Sequence, residues 1–143
     1  MTQIAFHFNI ENKSIYLCRL LRKAVAGGAK LVVTGPDLEL EQLDAALWTF
    51  AATEFVPHCG PDADDSVRAK SPVVFTPALR SLPYADVLVN LGEPVPAGFE
   101  QFKRLIEVVT FDETDRKMAR ARWKFYSDAG FSLIRHDLQK ATV

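Results

Sequence analysis

The sequence predicts an α/β fold: an open, mostly parallel sheet flanked by helices. Three observations carry this. Apolar runs of strand length alternate with segments of helical periodicity along most of the chain. The run KLVVT at 30–34 is continuously apolar after its lysine, as a strand covered on both faces requires. Finally, 48% of the 143 residues are hydrophobic, enough for a sizeable core in one domain spanning 1–143. Strands joined through helices imply parallel pairing with right-handed crossovers.

The first strand is read at 3–10, where Ile4, Phe6, Phe8 and Ile10 alternate onto one face. A helix follows at 14–26, with Ile15, Cys18, Leu21 and Val25 inward, Leu17 at the edge, and Gly27 and Gly28 closing it. After the strand at 30–34, Gly35 and Pro36 turn the chain and Asp37 can cap a second helix. On that helix Leu40, Leu43, Leu47 and Phe50 repeat at helical spacing. Residues 55–59 read as irregular, and 60–71 as a polar, charged surface loop. Further strands are predicted at 71–76, 86–91 and 106–110, with a short helix at 98–104.

The stretch 112–131 reads as an amphipathic helix with its own start and stop. Asp112, Glu113, Thr114 and Asp115 place caps and negative charge where the helix dipole is positive. Gly130 is suited to the left-handed position that ends it. At about 100° per residue, Met118, Ala121, Phe125 and Ala129 share one side, expected to face the core. Arg116, Arg120, Trp123 and Ser127 fall opposite, flanked by Lys117 and Lys124. This is either a solvated basic face with Trp123 against a neighbouring loop, or a docking site for an acidic partner with an apolar anchor. A second cluster, Trp48 with Phe55, either closes the bottom of the core or offers an apolar patch to another protein.

Composition and motifs exclude much else. The net charge is −1, so any basic site is local. No apolar run approaches the ~18 residues of a membrane span, and MTQIAFHFNI lacks the layout of a signal peptide. Cys18 and Cys59 read as reduced thiols, which together point to a cytoplasmic protein. The turn after the first strand, NIENK, has no glycine and carries an acid, and no G-x-x-x-x-G-K-[ST] occurs, so nucleotide binding is not expected. His58 and Cys59 have no second ligand pair at zinc spacing and read as a loop histidine and a small apolar cysteine. Asp62, Asp64 and Asp65 lack cation-loop spacing, and no nucleophile elbow is present. No catalytic residues, metal or cofactor are expected. The rival classes are a doubly wound enzyme or nucleotide-binding domain with an unrecognised site, and direct DNA binding through the basic helix.

Two blocks carry a family resemblance: LDAALWTFAATEFVPHC at 43–59 and DRKMARARWKFYSDAGFSL at 115–133. Support comes from IAFHFNI near the start and ADVLVNLGEPVPAGFEQFKRLIEVV. Together they resemble the chi subunit of bacterial DNA polymerase III over nearly the whole chain. An L-x-x-A-L-W helix followed by an F-V-P-H loop is not a generic α/β pattern. The resemblance implies a nucleotide-binding-like topology without a phosphate loop. It also implies an accessory role in the clamp-loader complex, with two partners: the psi subunit and the acidic, phenylalanine-ended tail of single-stranded DNA-binding protein. Contact with nucleic acid would then be indirect. The tail-binding positions fall on Arg116, Arg120, Trp123 and Lys124, where the family often has tyrosine in place of Trp123. The psi-facing positions fall on Trp48 and Phe55. The loop at 59–71 and the tail after Leu133 are not covered.

Overall fold

The computed structural model describes residues 1–49, 56–60, 62–80, 82 and 84–138. Its elements run β1 (Gln3–Ile10), α1 (Lys13–Ala26), β2 (Leu31–Thr34), α2 (Asp37–Thr49), β3 (His58–Cys59), α3 (Asp65–Lys70), β4 (Val73–Phe75), β5 (Val87–Asn90), a 3-10 turn (Phe99–Gln101), β6 (Arg104–Thr110), α4 (Glu113–Asp128) and β7 (Ser132–Asp137). Among the described residues, seven strands form one sheet in the order β3-β4-β2-β5-β6-β1-β7. Every pairing is parallel.

Alternation along the central strands divides the core in two. Leu31 and Val33, Val87 and Val89, and Ile106 and Val108 pack with Leu17, Cys18 and Leu21 of α1 and with Leu40, Leu43 and Leu47 of α2. The intervening Val32, Leu88, Leu105 and Val109 pack with Phe99, Ala119 and Tyr126 on the other side. The helices α1 and α2 therefore cover one face, and α4 with the Phe99 turn covers the other. A crevice lies at the carboxyl ends of β5 and β6, beside the starts of α1 and α4, on the strand-end side where doubly wound folds hold ligands. This crevice, about 450 Å³, is lined by Glu39, Glu93, Asp112 and Asp115 as well as Lys13 and Arg122. The helix starts beside it are capped by their own chain. Asn12 Oδ1 accepts from Ile15 N–H, and Asp112 Oδ2 accepts from Asp115 N–H. Self-capped starts among carboxylates disfavour a phosphate there.

Four expectations are corrected. The edge strands β3 and β7 lie outside the five strands read from sequence, because β3 has only two residues and β7 mixes polar and apolar residues. The loop at 60–71 contains α3, whose six residues are none of them buried and so show no apolar period. The helix expected at 98–104 is only the 3-10 turn, and Arg104 already belongs to β6. On α1, Leu17, Cys18 and Leu21 form the buried side with Val25 partly buried against the same core, whereas Ile15, expected inward, is 44% exposed. Phe50 and Phe55 lie outside the described residues. No helix among the described residues is long and apolar enough to cross a membrane.

Candidate protein-binding surfaces

The helix α4 begins as its sequence requires. Beyond the Asp112 cap, Asp115 Oδ2 accepts from both the backbone N–H and the hydroxyl of Thr110 at 2.8 Å, which ties the helix to the end of β6. Gly130 adopts φ 88° and turns the chain into β7.

The inward side of α4 is not the one expected. Ala119, Arg122 and Tyr126 are buried, whereas Met118 is 36% and Phe125 50% exposed, and Ala121 and Ala129 are exposed too. The helix is turned by one residue, about 100°, from the side that apolar periodicity selects. The cause is Glu107 on β6, which has no exposure at all. Its Oε1 accepts from Arg122 Nε at 3.0 Å and its Oε2 from Tyr126 Oη at 2.7 Å. Asn90 Nδ2 donates to the same carboxylate, and Arg122 Nη1 donates to the carbonyl of Glu93. Burial pushes the Glu107 carboxyl above its ordinary range, opposed by the Arg122 charge and these hydrogen bonds. A charged residue is an acceptable core residue once its partner is buried with it, and that partner is on another element.

The rotation also moves Trp123. It is half-buried at the rim of the core, edge-on to Phe6 with ring centroids 5.0 Å apart. A pocket of about 310 Å³ opens beside it, lined by Phe6, Phe8, Val109, Arg116, Ala119, Arg120, Trp123 and Arg135. The floor is aromatic and apolar, the charged lining is arginine, and no acid takes part. Arg135 comes from β7. In register, Phe6 sits opposite Glu107 on one side and Arg135 on the other, so these residues form one row facing α4. The Arg135 guanidinium carbon lies 5.2 Å from the Phe8 ring centroid and 6.0 Å from that of Trp123.

Of the four positions predicted for one site, Arg116, Arg120 and Trp123 come together. Lys124 does not line the pocket, and its ammonium pairs with Asp128 at 3.4 Å on the exposed surface. Arg116 pairs with Glu113 at 3.7 Å. Among the described residues, no ion pair engages Arg120 or Arg135. Sequence reading missed Arg135 because it lies on an unread strand; the shared face with Phe6 and Phe8 emerges only from the β1–β7 register.

The second surface lies on the opposite side of the sheet. Leu47 is buried, while Trp48 is 64% exposed with its ring edge-on to His58 at 5.7 Å. Of the two readings of Trp48, exposure favours the patch. His58 is not a loop histidine: it sits in β3, stacks on Phe75, and its ring nitrogens face the Asp44 carboxylate at 2.6 Å and the Val56 carbonyl at 2.7 Å. It ties the chain after residue 55 to α2. Cys18 and Cys59 are free thiols, and no group of metal-ligating residues assembles among the described residues.

Comparison with known families decides the identity. A family model described as "DNA polymerase III chi subunit, HolC" matches residues 1–134. The chain belongs to the DNA polymerase III chi subunit family. Its similar relatives include the subunit chi of Pseudomonas aeruginosa, 30% identical over 124 residues, 86% of this chain and 84% of that one. The subunit chi of Escherichia coli K12 is 29% identical over 82% of this chain and 80% of its own length. That of Haemophilus influenzae is 25% identical over 81% of each. Membership in the chi family makes the chain an accessory subunit of the replicative polymerase, and it bears out the resemblance read from the sequence. The chi-family fold here is the all-parallel α/β sheet that the sequence predicts as open and mostly parallel.

Proposed function

We propose that this chi subunit couples the clamp-loader complex to single-stranded DNA-binding protein. It does so by holding that protein's acidic, phenylalanine-ended tail at α4 and β7, and the psi subunit at the Trp48 surface. The observation that carries the reading is the pocket of Phe6, Phe8 and Trp123 ringed by Arg116, Arg120 and Arg135 without an acid. An aromatic side chain fills the apolar floor while carboxylates meet the arginines, which steer encounter and set orientation. A short tail loses entropy on ordering, so each site binds on the order of micromolar. Many tails on one coated strand raise the effective affinity. The chain itself does no chemistry in this role.

Fluorescence-anisotropy titration of an acidic, phenylalanine-ended peptide tests the first contact. Saturable binding that Arg120→Ala weakens and rising salt weakens is the expected result. Equal affinity of wild type and variant would rule out this surface. For the second contact, copurification with psi should be lost with Trp48→Ala while peptide binding stays intact.

A further inference from the structure

We infer that Arg135 reads the free terminal carboxylate of the bound peptide, in concert with Arg120 across the pocket. This rests on the reading of the pocket given above and adds a specificity-determining residue from β7 that none of the family-derived positions supplies. Of the cations near the pocket, Arg116 and Lys124 already have carboxylate neighbours on α4, Glu113 and Asp128. Arg120 and Arg135 have none among the described residues, and they stand on different elements around one apolar floor.

Arg135 also rests against aromatic rings. Its guanidinium lies over Phe8 and near Trp123, and the register with Phe6 places its stem on the pocket side of the edge strand. Stacking on aromatic faces leaves the planar edge, with its N–H donors, free to take a carboxylate in a two-point bond. A lysine on a flexible stem would lack that preorganisation. The aromatic floor and the fork line the same pocket, so the side chain and the α-carboxylate of one terminal residue can meet both. Internal acidic residues lie farther along the chain and fall to Arg116 and Lys124 on the outer helix. The pocket thus distinguishes an aromatic residue at a chain end from the same residue inside a chain.

The test compares two synthetic acidic peptides ending in phenylalanine, one a free acid and one a carboxamide, against full-length wild type, Arg135→Met and Arg135→Lys. Methionine keeps apolar bulk over the rings and removes the charge. Wild type is expected to prefer the free acid by about tenfold or more, since a charge-assisted pair is at stake. Arg135→Met should lose about tenfold for the free acid and stay within about twofold for the carboxamide, while Arg135→Lys falls between. An unchanged acid-to-amide ratio in Arg135→Met overturns the assignment, as does equal weakening of both peptides, which would mark Arg135 as a prop for the rings. Parallel loss of binding to a single-stranded oligonucleotide would make it a general anion contact and also overturn it. If wild type binds neither peptide, the reading of the pocket itself falls, and this inference with it.

Discussion

Arg122 and Glu107 form an ion pair inside the fold, Nε to Oε1 at 3.0 Å, with side-chain exposures of 5% and 0%. It sets which side of α4 faces the sheet, and so sets where Trp123 and Arg120 stand. A buried pair of this kind adds little net stability, because desolvation offsets the attraction, but breaking it is costly.

Arg122→Met should therefore destabilise the protein by about 3–5 kcal/mol at pH 7. The loss should shrink in acid. Burial already raises the Glu107 carboxyl, and removing Arg122 takes away the largest influence that holds it down. A group whose folded pKa is raised contributes stability below its unfolded value and loses it as pH rises through the folded one. The variant's deficit should grow from about pH 4.5 upward. Urea unfolding at pH 5 and pH 7 checks this; a deficit independent of pH would contradict the assignment.

His7 should act with the opposite slope. Burial lowers its pKa from 6.5 to about 4, with help from the neighbouring charges of His136 and Arg104, and its Nδ1 is bonded to the Tyr16 hydroxyl. The neutral ring is the form the fold prefers. Its contribution is present above pH 6.5 and lost as pH falls through about 4. Screening at a half-buried site limits this to about 1–2 kcal/mol. His7→Gln should flatten the stability profile between those limits by that amount, as read from denaturant midpoints along a pH series. An unaltered slope would assign acid sensitivity elsewhere.

The readable and unreadable parts of this molecule divide along one line. Local signals sufficed where an element carries its own information. KLVVT became a strand buried at every described position of β2, Asp112 became the cap of α4, and Gly130 took the left-handed turn. They failed where the deciding partner lies on another element. Apolar periodicity selected Met118 and Phe125 as core, because Glu107, which draws Arg122 inward, lies 15 residues away on β6. Arg135 joined the pocket through strand register, and no spacing within the chain reports that. His58 looked like a loop residue because its anchors, Asp44 and Phe75, come from α2 and β4.

The Trp48 surface yields a prediction that separates its two readings, a binding anchor and a packing residue. Trp48→Ala should weaken the psi complex by about 2 kcal/mol or more if the ring is an anchor. With 64% of the residue already in solvent, the melting temperature should hardly move. Phe55→Ala is expected to behave alike in binding. A large drop in stability for Trp48→Ala, measured beside the binding assay, would show the ring to be a packing residue.

Arg120 and Trp123 lie about one turn apart, so one ligand can touch both, yet their substitutions should differ. Arg120 is exposed and pairs with no acid among the described residues, so Arg120→Ala should cost about 1.5–3 kcal/mol in peptide affinity and little stability. That loss should narrow as salt rises, since screening weakens what the arginine supplied. Trp123→Ala should cost a similar amount of affinity with a flatter salt dependence, because an apolar wall is what it removes. It should also cost stability. The ring meets Phe6 edge-on at 5.0 Å and is half-buried. An aromatic pair contributes about 0.5–1.5 kcal/mol beyond its buried area, so a total near 2 kcal/mol is expected. Anisotropy titrations at two salt concentrations, beside urea unfolding of each variant, check all four outcomes. Equal salt dependence for both variants would mean that Trp123 acts by placing the arginines, and not by contacting the ligand.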